Sequence, residues 1–299
     1  MPRFAPLIKV TRAWRYNAEV ILQGNDFDAA LAHPRQLQIE RTQCFIAAFD
    51  DPAVIAGQCT LGLQIREQVP DVHTIIVPVG RGGLISGLSV ALKESGAQAR
   101  SIRIIGMQAA LRAGSLLFCP PASTLADGIA VRRGGDLTLP LVQRYVDEVV
   151  TVNETEIAHA TLILLEDKKT VIEGAAATTL AALLNRPPGL HKQKVVLLLS
   201  GGNIDVNIIA RVIENGLVQE GRVARLSRIV PDRTGTLALV SNIVAEQGAN
   251  VLEITHTRGF SRAEIGESEL TLTLETCGCS HIDTVYHALQ KAGYRLSKE

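Results

Sequence analysis

The 299-residue chain is 46% apolar, so it can bury a sizeable core, and its length suggests two domains. Its 30 Lys and Arg residues balance 30 Asp and Glu residues, which excludes a general electrostatic attraction to nucleic acid or to an anionic membrane. The sequence contains no apolar run long enough to span a bilayer, and its opening residues lack the pattern of a signal peptide.

The cysteines form an odd and scattered set, which favours a reducing compartment over a disulfide framework. They are Cys44, Cys59, Cys119, Cys277 and Cys279. We therefore expect a soluble, cytoplasmic protein.

The N-terminal part carries weak signals, a short strand candidate at Glu19–Leu22 and a turn at Gly24-Asn25-Asp26. The pattern is clearer further on, where the β-rich run Thr74–Val77 is followed by a glycine cluster and by the helical stretch Leu84–Leu92. Further strands are predicted at Ile102–Gly106, Glu148–Val152 and Val195–Leu199, with helices between them. This alternation predicts an α/β fold whose parallel sheet is covered on both faces.

Two helices have well-marked ends. Asn153 can cap a helix, and Glu156 follows three residues later, which is the capping-box pattern. The alanine-rich helix Gly174–Leu184 should end before Pro187 and Pro188, because proline cannot donate the backbone bonds that continue a helix.

The pattern changes near Gly216–Gly221, where we place a domain boundary. The segments that follow predict the order βαββαβ, in which two helices lie on one side of a small ferredoxin-like sheet. A helix is predicted around Leu237–Val244 with Gly248 as its stop, and a final helix begins at Ser280. Strands are predicted at Val223–Val230, Asn250–Thr257 and Leu270–Leu274.

The strongest candidate site is the loop Pro78–Leu84, which lies between a strand and a helix and contains Gly80, Gly82 and Gly83. Consecutive backbone N–H groups near a helix N-terminus form an anion-binding concavity, so a phosphate fits there. A glycine turn that only reverses the chain is the alternative.

A second candidate follows the strongest apolar strand, at Leu199–Asn203. Its side chains should emerge at the carboxyl edge of the sheet, where α/β proteins bind ligands. Ser200 is then a candidate hydrogen-bond partner for a ring nitrogen. A helix N-cap is the alternative role, and one serine can fill both.

A family pattern runs through Met1-Pro2, Ala5–Val10, Ala56–Gln58, Val79–Gly87, Ala126–Val131, Glu173–Ala175 and Ser200–Asp205. Together these segments resemble the pyridoxal-phosphate-dependent threonine dehydratases. The resemblance implies a tryptophan-synthase-β-like fold of type II over residues 1–220, with residues 1–65 from the small domain and residues 66–220 from the large domain. Residues 221–299 resemble an ACT regulatory module.

The resemblance also implies where pyridoxal phosphate binds. Its phosphate would be held by Gly80, Arg81, Gly82, Gly83 and Leu84. Ser200 would face the pyridine nitrogen, while Gly128 and Glu173 would line the pocket. A neutral hydroxyl leaves that nitrogen unprotonated, which suits removal of a β-hydroxyl group. Taken alone, Gly128 is also consistent with a turn glycine and Glu173 with a helix-start acid.

The main departure from the family is a missing lysine. Relatives carry the lysine that holds the cofactor covalently in a Ser-x-Lys-x-Arg motif, followed by a Ser-Gly-Asn-His loop, and neither occurs in this sequence. We therefore expect a chain that starts inside the small domain and is inactive alone. Each lysine present is expected to be an ordinary surface charge. They are Lys9, Lys93, Lys168, Lys169, Lys192, Lys194, Lys291 and Lys298.

Three smaller departures concern the site. Arg81 brings a β-carbon into the glycine loop, which is costly if its φ is positive, although its guanidinium could pair with a phosphate. Cys59 stands where relatives have glycine and is expected to be structural. The stretch Gln108–Gly114 looks shortened, so no metal site is expected.

In the tail, a loop at a helix start combines backbone N–H groups with short polar side chains, which suits an amino-acid carboxylate. The candidate ligand residues are Asp232, Thr234, Gly235, Thr236, Leu237 and Asn250. The resemblance to ACT modules implies that a ligand binds there across a dimer interface. A module that only dimerises is the alternative.

The expected activity is conversion of threonine, and often serine, to the 2-oxo acid and ammonia by a homo-oligomer. The partner is then a small-molecule amino acid, with no nucleic acid and no membrane. The alternative is a non-catalytic protein that senses an amino acid, or joins a full-length partner, through its tail. A third possibility is a longer product whose upstream segment supplies the lysine.

Overall fold

The computed structural model describes residues 1–5, 7–25, 27–96, 102–109, 124–130, 134–185, 189–190, 192–259, 263–294 and 297–298. Its helices are α1 (Leu7–Arg15), α2 (Phe27–Arg41), α3 (Pro52–Gln68), α4 (Gly83–Glu94), α5 (Thr138–Tyr145), α6 (Glu154–Lys168), α7 (Gly174–Asn185), α8 (Val206–Gln219), α9 (Thr236–Glu246) and α10 (Cys279–Lys291). Its strands are β1 (Thr74–Pro78), β2 (Arg103–Ala109), β3 (Glu148–Val152), β4 (Val195–Leu197), β5 (Val223–Pro231), β6 (Asn250–Thr257), β7 (Glu267–Glu275) and β8 (Ser297–Lys298). The predictions on Asp26, residues 110–114, Cys119, Val131, Pro187 and Pro188 concern residues outside these ranges.

The first sheet is parallel, with the strand order β3-β2-β1-β4. Ile75 of β1 pairs with Ile104 of β2 on one side and with Val196 of β4 on the other. Every residue of β1 is buried, as expected for a strand with helices on both faces of its sheet. The predicted parallel sheet is therefore confirmed.

Side chains on the two faces of this sheet enter different cores, because successive residues of a strand point in opposite directions. Ile75, Val77 and Ile104 pack with buried residues of α3, α4 and α5. Ile76 and Ile105 pack on the other face with α6 and α7. Burying each of these large side chains contributes roughly 1.5–3 kcal/mol, so the sheet is a rigid base for the loops at its carboxyl edge.

The helix boundaries support part of the capping predictions. Asn153 accepts a hydrogen bond from Glu156 N, and the Glu156 side chain accepts one from Asn153 N, which is the predicted capping box. The alanine-rich α7 ends at Asn185, as expected. The predicted start at Ser280 is wrong, because α10 already begins at Cys279, and its N-cap Gly278 makes no side-chain cap bond.

The predicted strand at Glu19–Leu22 is wrong. These residues form no strand in the described part of the chain. The amino group of Met1 donates to Ile21 O, and Gln23 N donates to Met1 O. A strand needs a neighbouring strand to pair with its backbone N–H and C=O groups. The backbone bonds described above join this segment only to Met1, which does not make a strand ladder.

The second sheet is antiparallel, with the order β6-β7-β5-β8, and its elements follow the predicted sequence βαββαβ. Leu270, Leu272 and Leu274 of β7 are buried and pack with α9 and α10. This topology is ferredoxin-like. The assignment of an ACT module and the boundary between residues 220 and 221 stay predictions.

The two sheets are joined through α8, which ends at Gln219 just before β5. Arg222 donates to Glu166 of α6 at 2.6 Å and to Glu220 at 3.3 Å. The Thr276 hydroxyl donates to Gly221 O. Within the described ranges, no helix is long and apolar enough to cross a membrane.

Candidate functional site

The glycine loop leaves β1 and enters α4 through Gly82, whose φ of 95° lies in the left-handed region. Gly82 is the N-cap of α4 and, having no side chain, leaves the first N–H groups of the helix without a side-chain cap from that position. The N–H groups of Gly83 and Leu84 belong to the first turn of α4 and so have no acceptor within that helix. The loop therefore has the backbone geometry of an anion receptor.

Three neighbouring segments enclose this loop. A Cβ built on Gly80 would lie 3.3 Å from Ile129, and one built on Gly82 would lie 3.0 Å from Thr138. A Cβ on Gly83 would lie 3.0 Å from Phe49. Side chains at these positions would push the loop out of its place, so the glycines allow close packing as well as the turn.

Arg81 is accommodated without backbone strain. Positive φ occurs at Gly82 and not at Arg81, so the expected cost of a β-carbon at Arg81 does not arise. Its guanidinium lies 5.0 Å from the centroid of the Phe49 ring, within cation–π range. The Arg81 carbonyl accepts hydrogen bonds from the Thr138 hydroxyl and from Gly135 N.

Glu173 connects the other predicted site residues. Its backbone N–H donates to Gly201 O at 3.2 Å, and its carboxylate accepts from Asn203 N at 3.2 Å. A Cβ on Gly128 would lie 3.2 Å from Glu173 Oε1, and a Cβ on Gly201 would lie 2.5 Å from the same atom. The structure thus brings Gly128, Glu173 and the turn after Ser200 together.

The glycine loop lies beside this group, because a Cβ on Gly80 would also lie 3.6 Å from the carbonyl oxygen of Gly128. We call Gly82, Gly128, Glu173 and Ser200 together the arc. β1 and β4 are adjacent strands, so their carboxyl ends carry the glycine loop and Ser200 side by side. The half-buried Ser200 does not cap α8, since that helix has Asp205 as its N-cap. The alternative role proposed for Ser200 is therefore wrong.

Burial raises the pKa of the Glu173 carboxyl above its ordinary value, and the negative charge of Asp127 adds to this effect. The hydrogen bond from Asn203 N and the charge of Lys9 act in the opposite direction. Glu173 also lies immediately before α7, where its carbonyl accepts from Ala176 N and Ala177 N. It therefore serves both as a helix-start residue and as part of the arc.

One lysine, Lys93, is not the ordinary surface charge that we expected, whereas Lys9 is 39% exposed and fits that expectation. Lys9 pairs with Asp127 at 3.5 Å and lines a cavity of about 560 Å³ together with Glu173 and with residues of α6 and α8. Lys93 donates to both carboxylate oxygens of Asp147, at 3.1 and 2.9 Å, and its side chain is only 13% exposed. Both lysines are engaged in ion pairs.

Sequence reasoning missed two residues that hold the glycine loop, Asp50 and Thr138. The Asp50 carboxylate accepts hydrogen bonds from three consecutive N–H groups, those of Asp136, Leu137 and Thr138. Thr138 is fully buried. The Asp-Asp-Pro run at 50–52 is a helix-start signal, but it indicates only that Asp51 caps α3, as it does. Nothing in the sequence relates Asp50 to residue 138.

The predicted effector residues of the tail do not all meet within one chain. Asp232 lies beyond the end of β5, where its carboxylate accepts from Arg258 at 2.7 and 3.2 Å, a hydrogen bond that lowers its pKa. Gly235, with φ of 93°, is the N-cap of α9, which starts with Thr236 and Leu237. Thr234 lies in the same turn.

Asn250 is placed at the other end of the sheet. It donates to Glu275 at 3.1 Å, whereas the loop follows Pro231, which pairs with Glu267. Residues 267 and 275 mark opposite ends of β7, roughly 26 Å apart for an extended strand. Asn250 therefore does not meet the loop within one chain, and the ligand role of these residues, which we expect across a dimer interface, stays a prediction.

Among the described residues, no group of three or more His, Cys, Asp or Glu side chains is arranged to hold a metal ion. Cys59 is half-buried on α3. Its predicted structural role is not tested.

Comparison with known proteins adds the family. Residues 1–201 match the model of the pyridoxal-phosphate dependent enzymes. The chain is 46% identical over 304 aligned residues to an L-threonine ammonia-lyase of Thermotoga maritima, covering 99% of this chain and 75% of that protein. It is 45% identical to an L-threonine ammonia-lyase of Geobacter sulfurreducens, covering 98% and 74%.

A solved structure, the processed form of threonine deaminase isoform 2 from Solanum lycopersicum, superposes with a TM-score of 0.65 at 30% identity. The superposition covers 72% of this chain and 61% of that one. The matched residues 1–201 contain both loops of the arc and Glu173. The chain therefore belongs to the pyridoxal-phosphate-dependent enzymes, the family that takes pyridoxal phosphate as its cofactor.

Proposed function

We propose that this chain is the greater part of a threonine ammonia-lyase, which converts threonine, and often serine, to the 2-oxo acid and ammonia. The observation that carries the proposal is the arc of Gly82, Gly128, Glu173 and Ser200 at one edge of the parallel sheet. The 46% identity to an L-threonine ammonia-lyase over nearly the whole chain supports the choice of substrate.

The residues of the arc fit pyridoxal phosphate. Gly82 has a left-handed φ at the start of α4, and neighbouring segments pack closely against the loop. The free N–H groups in the first turn of α4 suit the phosphate. The hydroxyl of Ser200 would hydrogen-bond the ring nitrogen without protonating it. When bound, the cofactor supplies an electron sink for the substrate's α-carbon. Gly80, Arg81, Gly83 and Leu84 complete the loop, and Glu173 and Gly128 form its neighbouring wall.

The lysine that relatives use has no counterpart motif in the 299 residues. We propose that these residues alone release no 2-oxobutanoate from threonine. The test is to incubate the purified chain with pyridoxal phosphate and threonine, then to reduce with borohydride, which fixes the cofactor to an amine. Peptide mapping that finds the cofactor on Lys9, together with turnover, would disprove this part.

The activity itself is tested by supplying the lysine. A segment that carries the Ser-x-Lys-x-Arg motif of the family, fused ahead of Met1, should restore release of 2-oxobutanoate from threonine. The same fusion with Ser200→Ala should lose most of that activity while still folding. A fusion that binds the cofactor and leaves both threonine and serine unchanged would contradict the proposed activity.

A second candidate function is amino-acid sensing or partner binding by residues 221–299. It is supported by the ferredoxin-like topology and by the loop at the start of α9. Titration of the chain with single amino acids, followed by calorimetry and by sedimentation, tests sensing and assembly of copies together. If the Thr234→Val and Thr236→Val variants bind an amino acid with the same heat of binding as the wild type, this loop is not the ligand site.

A further inference from the structure

Thr138 sits directly beneath the glycine loop and is the centre of a hydrogen-bond network. Its side-chain oxygen donates to the Arg81 carbonyl and accepts from Gly135 N at 3.1 Å. Its own carbonyl accepts from the Ser86 hydroxyl at 3.2 Å, and its N–H donates to Asp50. All of its hydrogen-bonding groups are therefore used, in a residue with no exposed surface.

These bonds tie the loop to α4 as well as to α5. The Ser86 hydroxyl donates to Thr138, and the Ser86 backbone N–H donates to the carbonyl of Gly82. The same threonine thus contacts the loop through Arg81 and the first turn of α4 through Ser86. A Cβ on Gly82 would lie 3.0 Å from the Thr138 hydroxyl, so the loop rests directly on this side chain.

The network orients one peptide group. In a trans peptide the carbonyl and the following N–H point in opposite directions. Since the Arg81 carbonyl is held towards Thr138 and Gly135, the N–H of Gly82 must point away from α5, to the opposite side of the loop. Loss of the threonine hydroxyl would leave this part-buried carbonyl with the Gly135 N–H, at 3.3 Å, as the remaining donor of the two, and the peptide would be held less firmly.

We propose that Thr138 is a positioning residue for cofactor binding: it fixes the peptide that presents the Gly82 N–H to the phosphate of pyridoxal phosphate. Asp50 supports it by capping the start of α5, whose own N-cap residue, Leu137, has no capping side chain. This role depends on the cofactor of the family and not on the substrate. A binding measurement therefore separates it from the proposed lyase activity.

The probes are pyridoxine 5′-phosphate and pyridoxine, which differ by the phosphate and carry no aldehyde, so neither reacts with surface lysines. Calorimetry on the 299-residue chain should show tighter binding of the phosphorylated probe. Thr138→Val should weaken that binding by roughly tenfold, the size of one or two net hydrogen bonds. Binding of pyridoxine should not change, and Thr138→Ser should bind both probes as the wild type does.

The matched control is Thr161→Val, which removes another buried threonine hydroxyl, one that donates to Ile157 O within α6. It should leave both affinities unchanged. If Thr138→Val does not fold, Ser86→Ala removes a neighbouring bond of the network and should selectively weaken the phosphorylated probe about threefold.

Three outcomes would overturn the proposal. One is a wild-type chain that does not prefer the phosphorylated probe. Another is an equal loss of affinity for both probes in Thr138→Val, which would mean that Thr138 has a general structural role. The third is full phosphate affinity in a folded Thr138→Val or Ser86→Ala variant.

Discussion

Gly201 shows how a single missing Cβ shapes the arc. Its φ is 111°, and a Cβ there would lie 2.5 Å from a carboxylate oxygen of Glu173. We expect Gly201→Ala to lower the free energy of unfolding by about 1–3 kcal/mol, from backbone strain and from displacement of that carboxylate. Urea unfolding measures the change.

Gly202 is the matched control for this substitution. Its φ is not positive, and a Cβ there would lie no closer than 3.5 Å to the Val171 carbonyl. Gly202→Ala should therefore be nearly neutral. Equal losses at the two positions would show that the contact with Glu173 is not the cause.

Glu173 should make stability depend on pH. Its pKa is raised by burial, so the folded state binds its proton more tightly than the unfolded state does. Stability from this group is complete at low pH and is lost as the pH rises from about 4 towards neutrality. Glu173→Gln should remove that loss, because an amide stays neutral and its oxygen can still accept from Asn203 N.

Unfolding in urea at several pH values between about 4 and 7 checks this prediction. The exposed Glu214 on α8 is the control position, and Glu214→Gln should follow the wild-type profile. Parallel stability profiles for Glu173→Gln and the wild type would contradict the expected penalty of the buried carboxylate.

At the scale of elements, α5 depends on a cap from a distant segment. The Asp50 carboxylate accepts from three N–H groups at the start of that helix. Asp50→Ala should lower the free energy of unfolding by about 1–3 kcal/mol, as for loss of a capping carboxylate that accepts several hydrogen bonds. Asp167→Ala, at an exposed position of α6, should change it by less than about 0.5 kcal/mol. Equal losses of unfolding free energy in the two variants would show that Asp50 does not cap α5.

The elements were predictable where local chemistry decides them. The apolar, β-branched residues of Thr74–Val77 predict a buried strand, and the structure buries them all. The spacing of Asn153 and Glu156 predicts the capping box that the structure shows. The predictions at Glu19–Leu22 and Ser280 failed. In the first case a strand requires a partner, and in the second Gly278 is the N-cap, so the helix begins at Cys279 and not at Ser280.

At the scale of the whole molecule, the two sheets have separate hydrophobic cores. Leu272 belongs to the core of the antiparallel sheet and is fully buried. Leu272→Ala should cost about 2–5 kcal/mol of stability in that sheet. Hydrogen exchange should show lost protection in β5 and β7 with protection retained in β1.

The control for this change is Leu239→Ala on α9, where the side chain is 57% exposed. It should leave the exchange of both sheets unaltered. If Leu272→Ala weakens β1 to the same extent as β7, the two cores unfold as one unit and the expectation is wrong.

Much of the site can be read from the sequence, because its parts are local motifs. The glycine loop and Ser200 each follow a strand, and parallel strands bring such positions to one edge. Gly128 and Glu173 were indicated only by the resemblance to the family. The positive φ of Gly82, rather than of Arg81, could not be read in this way, since both residues belong to the same short loop.

What remains depends on the folded chain. Asp50, Arg81 and Thr138 are far apart in sequence, and only the packing of α3, α4 and α5 brings them into one network. Lys9 of α1 also meets Asp127 only in the folded chain, and Asn250 is kept from Asp232 by the length of β7. Local pattern specifies helices, strands and turns, whereas contacts between distant residues exist only after the chain has closed around its core.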